Sequence, residues 1–311
     1  MDIQPILKVK DLNIKFSQYD KGLRRKSLEV ISEMDIDLYE GKIVAVVGAS
    51  GSGKSLLAHA ILGLLPDNAE FKGTFVYKGK TLKAEEQQSM RGKEWVLVPQ
   101  SVSYLDPLLK VKKQIEITMD PAEIKAGVLS IWFGKYGLSN AVKAMYPFQL
   151  SGGMARKVLL TTALAARAKV IIADEPTPGL DEQSLQAVLK DLRELADIGC
   201  AVLMITHDIG AALQIADQIA IFYAGTTVEV ANVSDFEDEG ENLRHPYTKA
   251  LYNALPSQQF RAIKGTQPTL LERTTGCLFA DRCEQVGEHC RAAMPGYRNL
   301  RNGLVKCYDA T

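Results

Sequence analysis

Residues 43–65 read IVAVVGASGSGKSLLAHAILGLL. An apolar run, Ile43–Val47, stops at Gly48, and six positions of small residues, GASGSG, precede Lys54 and Ser55. Glycine weakens strands and helices alike, so this much flexible backbone behind a buried strand needs a purpose. The stretch matches G-x-x-x-x-G-K-[ST] in the order strand, loop, helix. Glycines let backbone N–H groups turn inward into a concave anion nest. The helix that follows adds its free N–H groups and positive dipole end. Lys54 supplies charge to a β- and a γ-phosphate, and the Ser55 hydroxyl suits Mg²⁺. The expected phosphate contacts are Gly48, Ser50, Gly51, Ser52, Gly53, Lys54, Ser55 and Leu56.

Further along, VIIADEP places Asp174 and Glu175 at the end of a second buried strand. Nucleotide sites lie beyond the carboxyl ends of parallel strands. Asp174 is expected to hold Mg²⁺ and Glu175 to orient an attacking water, since phosphoryl transfer needs mainly positioning and charge stabilisation. The plainer alternative is an acidic cap before Pro176. LSGGM at 150–154 forms a second glycine-rich anion site: Ser151 caps a helix whose first N–H groups Gly152 and Gly153 expose. A site a hundred residues from the first cannot easily serve the same nucleotide in cis, which suggests two chains completing each other's pockets. Gln100 ends the strand WVLVPQ and could reach Mg²⁺ or the water; His207 follows AVLMIT and could contact a γ-phosphate. Asp181 in PGLDE caps a helix or signals across such a dimer.

The rest of the chain fits around these motifs. Strands are expected at 6–16 and 28–39 with a polar hairpin between, and at 43–47, 94–98, 170–173, 201–206 and 218–223. Helices are expected at 55–65, 152–167, 182–197 and 209–216, with 101–150 mostly helical. Strands alternating with helices imply an α/β fold with a parallel sheet covered on both faces. The charged stretch SDFEDEGENLRHP marks a boundary near 235–246, followed by a short, loop-rich, cysteine-bearing segment. The 311 residues carry 37 Lys+Arg against 37 Asp+Glu, which argues against a nucleic-acid partner. No apolar run reaches the roughly 18 residues of a membrane span, and MDIQPILKVKDL lacks the pattern of a secretory signal. An intracellular protein is therefore expected, with no structural disulfides among its five cysteines.

Taken together, these segments resemble the nucleotide-binding subunit of an ABC transporter: GASGSGKS as Walker A, Gln100 as the Q-loop, LSGGM as the signature, VIIADEP as Walker B with the catalytic glutamate, PGLD as the D-loop, and His207 as the switch histidine. VPQSVSYLDPLLKV, HPYTKALYNALP and GCLFADRCEQVGEHC further resemble the oligopeptide/dipeptide/nickel import subfamily. The resemblance implies a P-loop NTPase with a RecA-like core, a helical subdomain at about 101–160 and an antiparallel β subdomain within residues 1–235. A C-terminal extension with a cysteine cluster would follow at 236–311. It implies ATP and Mg²⁺ as ligands and catalytic roles for Glu175, His207 and Gln100. Ser55, Gln100 and Asp174 would hold the metal, and Ser151, Gly152, Gly153 and Asp181 would act across a dimer. Phe16 aligns with the adenine-stacking aromatic, with Tyr19 as the alternative. The implied partners are a second, homologous ATP-binding subunit, two transmembrane permeases and an extracellular substrate-binding protein. That places the chain on the cytoplasmic side of the cell membrane, powering peptide uptake. Nickel or metal-chelate import and a soluble, non-transport ATPase are the alternatives. The D-loop departs from the family in reading Pro-Gly-Leu-Asp, and Ala155-Arg156-Lys157 replaces Arg-Gln-Arg.

Four of the five cysteines fall in the last 35 residues, spaced Cys277-x5-Cys283-x6-Cys290-x16-Cys307. A short, weakly hydrophobic segment can hardly build its own core, so a staple is physically reasonable. Four thiolates suit a [4Fe–4S] cluster or tetrahedral zinc, and free thiols are the third possibility. Some relatives carry a [4Fe–4S] cluster at a similar motif, and the resemblance implies one here with a structural role. Cys200 is expected in the core.

Overall fold

A computed structural model describes residues 4–19, 25–98, 104–268 and 275–311. Gln100 lies outside these, as does the side chain of Tyr19. Twelve strands and ten α-helices follow in chain order among the described residues. They are β1 (Leu7–Tyr19), β2 (Arg25–Leu38), β3 (Ile43–Gly48), α1 (Lys54–Ile61), β4 (Ala69–Tyr77), β5 (Lys80–Thr81), α2 (Ala84–Met90), β6 (Trp95–Val98), α3 (Val111–Glu116), α4 (Pro121–Lys125) and α5 (Val128–Lys135). Then come α6 (Gly152–Ala165), β7 (Val170–Asp174), α7 (Glu182–Asp197), β8 (Ala201–Thr206), α8 (Ile209–Ile215), β9 (Gln218–Tyr223), β10 (Thr226–Asn232), α9 (Pro246–Asn253), α10 (Glu288–Ala292), β11 (Arg298–Leu300) and β12 (Gly303–Val305).

The larger sheet has the order β11-β12-β10-β9-β3-β8-β7-β6, of which β9, β3, β8, β7 and β6 run parallel. Its central strands alternate between two cores. Ile43, Ala45 and Val47 of β3 point to one face and pack in the same core as residues of α6, α7 and α8; Val44 and Val46 point to the other, with α1 and the second sheet. Burial on both faces explains why these strands are continuously apolar. The second sheet, β2-β1-β4-β5, is antiparallel. Three layers result: helices, parallel sheet, and antiparallel sheet with α1.

Register sets the working edge. Val46 pairs with Ile205, and Ile205 with Asp174, so β3, β8 and β7 end together. Gly48, His207 and Glu175 therefore emerge side by side. The expected strands and helices of this core are present, with three differences. Helix α1 ends at Ile61 instead of Leu65, because Gly63 (φ 61°) closes it: Gly63 N–H donates to Ala60 O and Leu64 N–H to His59 O. Residues 104–150 are less helical than expected, broken into three short helices and two 3₁₀ turns by Pro121, Gly127 and Pro147. Strands β4 and β10 are additional to the expected ones: β4 exposes most of AEFKG, and β10 buries the polar residues Thr226, Thr227 and Glu229, which break an apolar pattern.

The C-terminal residues extend the larger sheet, since β12 pairs with β10 and β11 with β12. Beneath this edge Arg244 and Glu229 are fully buried, 3.2 Å apart, and Arg244 reaches Asp235 at 2.9 Å. Arg244 also donates to the carbonyls of Leu300 and Arg301. The Glu229 carboxylate accepts the N–H groups of Arg244 and His245 at 2.9 and 2.8 Å, at the start of α9. Removing one partner of a buried pair strands the other's charge. Arg244→Met should therefore cost about 3–5 kcal/mol of unfolding free energy. A denaturant titration checks this; a loss below about 1 kcal/mol, the value of a surface pair, would contradict it.

Candidate active site

The loop between β3 and α1 needs its glycines for two different reasons. A Cβ on Gly48 would lie 2.3 Å from the Phe222 carbonyl oxygen, an impossible approach to fixed backbone. Gly53 has φ 97° and would meet Val30 Cγ1 at 2.8 Å. Lys54 begins α1 with only 5% of its surface exposed, and its ammonium donates to Gly48 O at 2.8 Å and Ala49 O at 2.9 Å. Burial lowers the Lys54 pKa, opposed by the nearby charges of Glu175 and Asp174; Glu175 Oε1 is 3.9 Å from Nζ. The ammonium is thus desolvated but ringed with oxygen, the state in which its field acts most strongly on an incoming anion.

Ser55 and Asp174, 119 residues apart in sequence, meet with Ser55 Oγ donating to Asp174 Oδ1 at 3.1 Å. Burial raises the Asp174 pKa, offset in part by that hydrogen bond. Beside it, Glu175 sits at φ 47°, uncommon for a residue with a Cβ, with its N–H donating to Ile205 O at 2.8 Å. Strain of this kind clusters at sites that use it. Its carboxylate Oε2 pairs with His207 Nδ1 at 2.9 Å. An acid, a hydroxyl, an ammonium and an imidazole thus surround one cleft, lined by Val30, Ser50, Gly51, Gly53, Lys54, Ser55, Leu56, Glu175, Pro178 and His207. Such an arrangement can bind a polyphosphate and orient a water against it.

The structure brings together most of the residues singled out in the sequence. Gly48, Ser50, Gly51, Gly53, Lys54, Ser55, Leu56, Asp174, Glu175 and His207 gather at this edge, and Ser52 lies buried within the loop. Ser151, Gly152 and Gly153 do not line the cleft. They are exposed at the start of α6, where Ser151 Oγ accepts the Met154 N–H at 3.2 Å. Asp181 caps α7, accepting from Ser184 N–H at 3.0 Å and Ser184 Oγ at 2.8 Å, which hold its carboxyl below the usual range. Phe16 is half-buried on β1, paired with Leu28 and Ala69, and is not among the cleft's lining residues. Val30 and Pro178 are, and sequence reading missed both. Pro178 lies within PTPGLD and so was within reach; an apolar strand residue such as Val30 carries no local sign of its neighbour.

The cysteines of the C-terminal region converge as well. Cys277, Cys283, Cys290 and Cys307 line one pocket with His245, Phe279 and Asp309, and none of them forms a disulfide. Burial pushes the thiols of Cys277 and Cys283 up, and that of Cys307 to about 11. His245 is 1% exposed; its Nδ1 accepts the Tyr247 N–H at 3.0 Å, and its Nε2 is buried without a hydrogen-bond partner. Cys200 is buried in the core, as expected.

Comparison with known proteins agrees with this geometry. A family model described as "ABC transporter" matches residues 31–178, and one described as "Oligopeptide/dipeptide transporter, C-terminal region" matches residues 228–290. The chain is 32% identical over 324 residues to the oligopeptide transport ATP-binding protein OppD of Haemophilus influenzae, covering 98% of this chain and 97% of that protein. It is 32% identical over 315 residues to the dipeptide transport ATP-binding protein DppD of Caldanaerobacter subterraneus, covering 95% and 94%. Among solved structures, a dimeric bacterial ABC transporter cassette superposes with a TM-score of 0.62 at 24% identity, over 73% of this chain and 98% of that one, which shows the fold. The chain belongs to the ABC transporter ATP-binding family, in the branch of the oligopeptide and dipeptide transport ATP-binding proteins.

Proposed function

We propose that this chain is the ATP-binding and ATP-hydrolysing subunit of an ABC importer that powers peptide uptake. The observation that carries the reading is the convergence of the phosphate loop, Ser55–Asp174 and Glu175–His207 on one cleft. The full-length similarity to peptide transport ATP-binding proteins supports the cargo class over nickel or a metal chelate. Residues 1–235 would form the nucleotide-binding unit, with its helical part at about 101–160, and residues 236–311 the C-terminal extension.

ATP would place its phosphates in the nest of residues 48–55, where the Lys54 ammonium exchanges carbonyl partners for phosphate oxygens. A hydroxyl and a carboxylate oxygen side by side are hard donors of the kind Mg²⁺ prefers. Ser55 and Asp174 would hold the ion, which supplies charge neutralisation across the phosphates; Gln100 is the third residue proposed. Glu175 would align the attacking water and accept its hydrogen bond, while His207 orients that carboxylate through Nδ1. Phe16 is proposed to face the adenine. The exposed Ser151, Gly152 and Gly153 would close over ATP held by a second, homologous subunit, with Asp181 at the same seam. Leu108, Ile117, Ile131 and Phe148 are largely exposed in the helical region, apolar side chains available to permease partners. An extracellular binding protein would deliver the peptide. Among the described residues no helix is long and apolar enough to cross a membrane, so such permeases would carry the path and the chain would sit peripherally on the cytoplasmic face.

For the cysteine pocket we propose an iron–sulfur cluster in preference to a single zinc ion. Sulfurs around tetrahedral zinc at about 2.3 Å must lie roughly 3.8 Å apart. Among the described residues the one group of three potential ligand atoms within 4.8 Å of one another is His289, Cys290 and Asp309. No three of the four sulfurs come that close. The unpartnered His245 Nε2 is a further donor suited to an electron-rich occupant. Cys277, Cys283, Cys290 and Cys307 would hold a [4Fe–4S] cluster, whose contribution there would be a structural cross-link.

Three measurements test these readings. Glu175→Gln should keep ATP affinity and lose at least about a hundredfold in turnover within the assembled transporter, as for removal of a general base; vigorous hydrolysis would refute its role. Lys54→Ala removes charge-assisted hydrogen bonds and should weaken ATP binding at least about tenfold, measured by titration calorimetry. Anaerobically purified protein should contain iron and acid-labile sulfide and absorb broadly in the visible; zinc alone, or no metal, would reject the cluster.

A further inference from the structure

The C-terminal hairpin reaches across the molecule to β2. Lys306 follows β12 and is 2% exposed; its ammonium lies 2.7 Å from Glu33 Oε2, 3.4 Å from Thr226 Oγ1 and 4.9 Å from the centre of the Tyr297 ring. A buried ammonium needs a counter-charge, and Glu33 provides it from a strand 273 residues earlier. The Tyr297 hydroxyl donates toward the carbonyl oxygens of Glu33, at 2.9 Å, and Thr227, at 3.1 Å. Glu33 is itself unusual: it sits at φ 48°, where the β1–β2 register shifts, and its N–H donates to Asn13 Oδ1 at 3.1 Å. The kink is therefore held at its N–H, its carbonyl and its carboxylate. Next to it, Ser32 N–H donates to Gly225 O at 2.8 Å, fastening β2 to the β9–β10 turn.

Three residues before Glu33, on the same strand, Val30 lines the nucleotide cleft and abuts Gly53. Two further back, Leu28 pairs with Phe16. The position of β2 thus sets one wall of the cleft, and between the pairs Leu12–Met34 and Ile14–Ile31 its ladder to β1 is interrupted by a bulge, a local irregularity that bends the strand. We infer that Lys306 and Tyr297 are positioning residues for the nucleotide: by clamping the β2 kink at Glu33 they hold the Val30 wall against the phosphate loop. The C-terminal extension then tunes ATP affinity without touching ATP. This rests on the reading of the cleft as an ATP site.

The test uses the full chain and its assembled transporter. Lys306→Met and Tyr297→Phe should each weaken ATP binding at least about fivefold, the low end of coupling between separated sites, raise KM for ATP correspondingly, and leave kcat at saturating ATP near wild type. Tyr297→Phe removes a single hydroxyl and serves if Lys306→Met fails to fold. Lys306→Arg, which keeps the charge, should restore affinity. Arg298→Ala is the control within the same extension: it removes hydrogen bonds to Tyr308 O and Ala310 O but does not reach β2, so ATP affinity should hold. Wild-type affinity in folded Lys306→Met and Tyr297→Phe, whatever their melting temperatures, overturns the clamp. Lys54→Ala is run alongside: if it binds ATP as wild type does, the ATP reading fails and the clamp with it; if it alone loses affinity, only the clamp fails.

Discussion

Lys54 is the constraint around which this molecule is arranged. An ammonium in the interior costs several kcal/mol unless oxygen surrounds it, and here two loop carbonyls and a carboxylate 3.9 Å away do so. That arrangement requires the loop carbonyls to turn inward, which requires Gly48 to pass within touching distance of Phe222. It also requires Glu175 to stand beside β3 instead of one residue up or down. The shared row Val46–Ile205–Asp174 supplies that register. A one-residue slip would turn every side chain of β7 to the opposite face, moving Asp174 from Ser55 and Glu175 from Lys54 together. The left-handed φ at Glu175 fits the same requirement, because it turns the chain at the strand end and leaves the carboxylate facing His207.

Much of this is legible in the sequence. The five parallel strands announce themselves because burial on both faces makes them short, unbroken apolar runs. The phosphate loop does so because few other purposes justify its composition. Each chemical group at the cleft also belongs to a motif at a strand end. What escaped reading is equally physical. Strand β4 presents AEFKG to solvent and so lacks an apolar signature over half its length. The segment 104–150 has helical composition, but prolines and glycines cut it into pieces. Val30 contributes a wall through tertiary packing alone, and Phe16 shows the converse: its assignment rests on resemblance to the family pattern, while the cleft's lining does not include it.

The C-terminal region packs into the main core through an aromatic cluster. Tyr223, Tyr247 and Phe279 meet edge-on or tilted, with Arg282 over two of the rings. Arg244 and Glu229, wholly buried, bind the region to the last strands of the main sheet. The cysteine pocket shares Phe279 and His245 with this cluster. Aromatic packing, ionic pairing and sulfur chemistry are thus adjoining parts of one junction.

The pairing of β12 with β10 has a consequence for synthesis. Until residue 305 has left the ribosome, β10 is an open rim, with one row of amide and carbonyl groups unpaired. Translation at about 5–20 residues per second leaves that rim bare for several seconds, long enough for another strand to dock there. Glu229 stands on that strand, and its counter-ion Arg244 follows only 15 residues later, well before the tail is made.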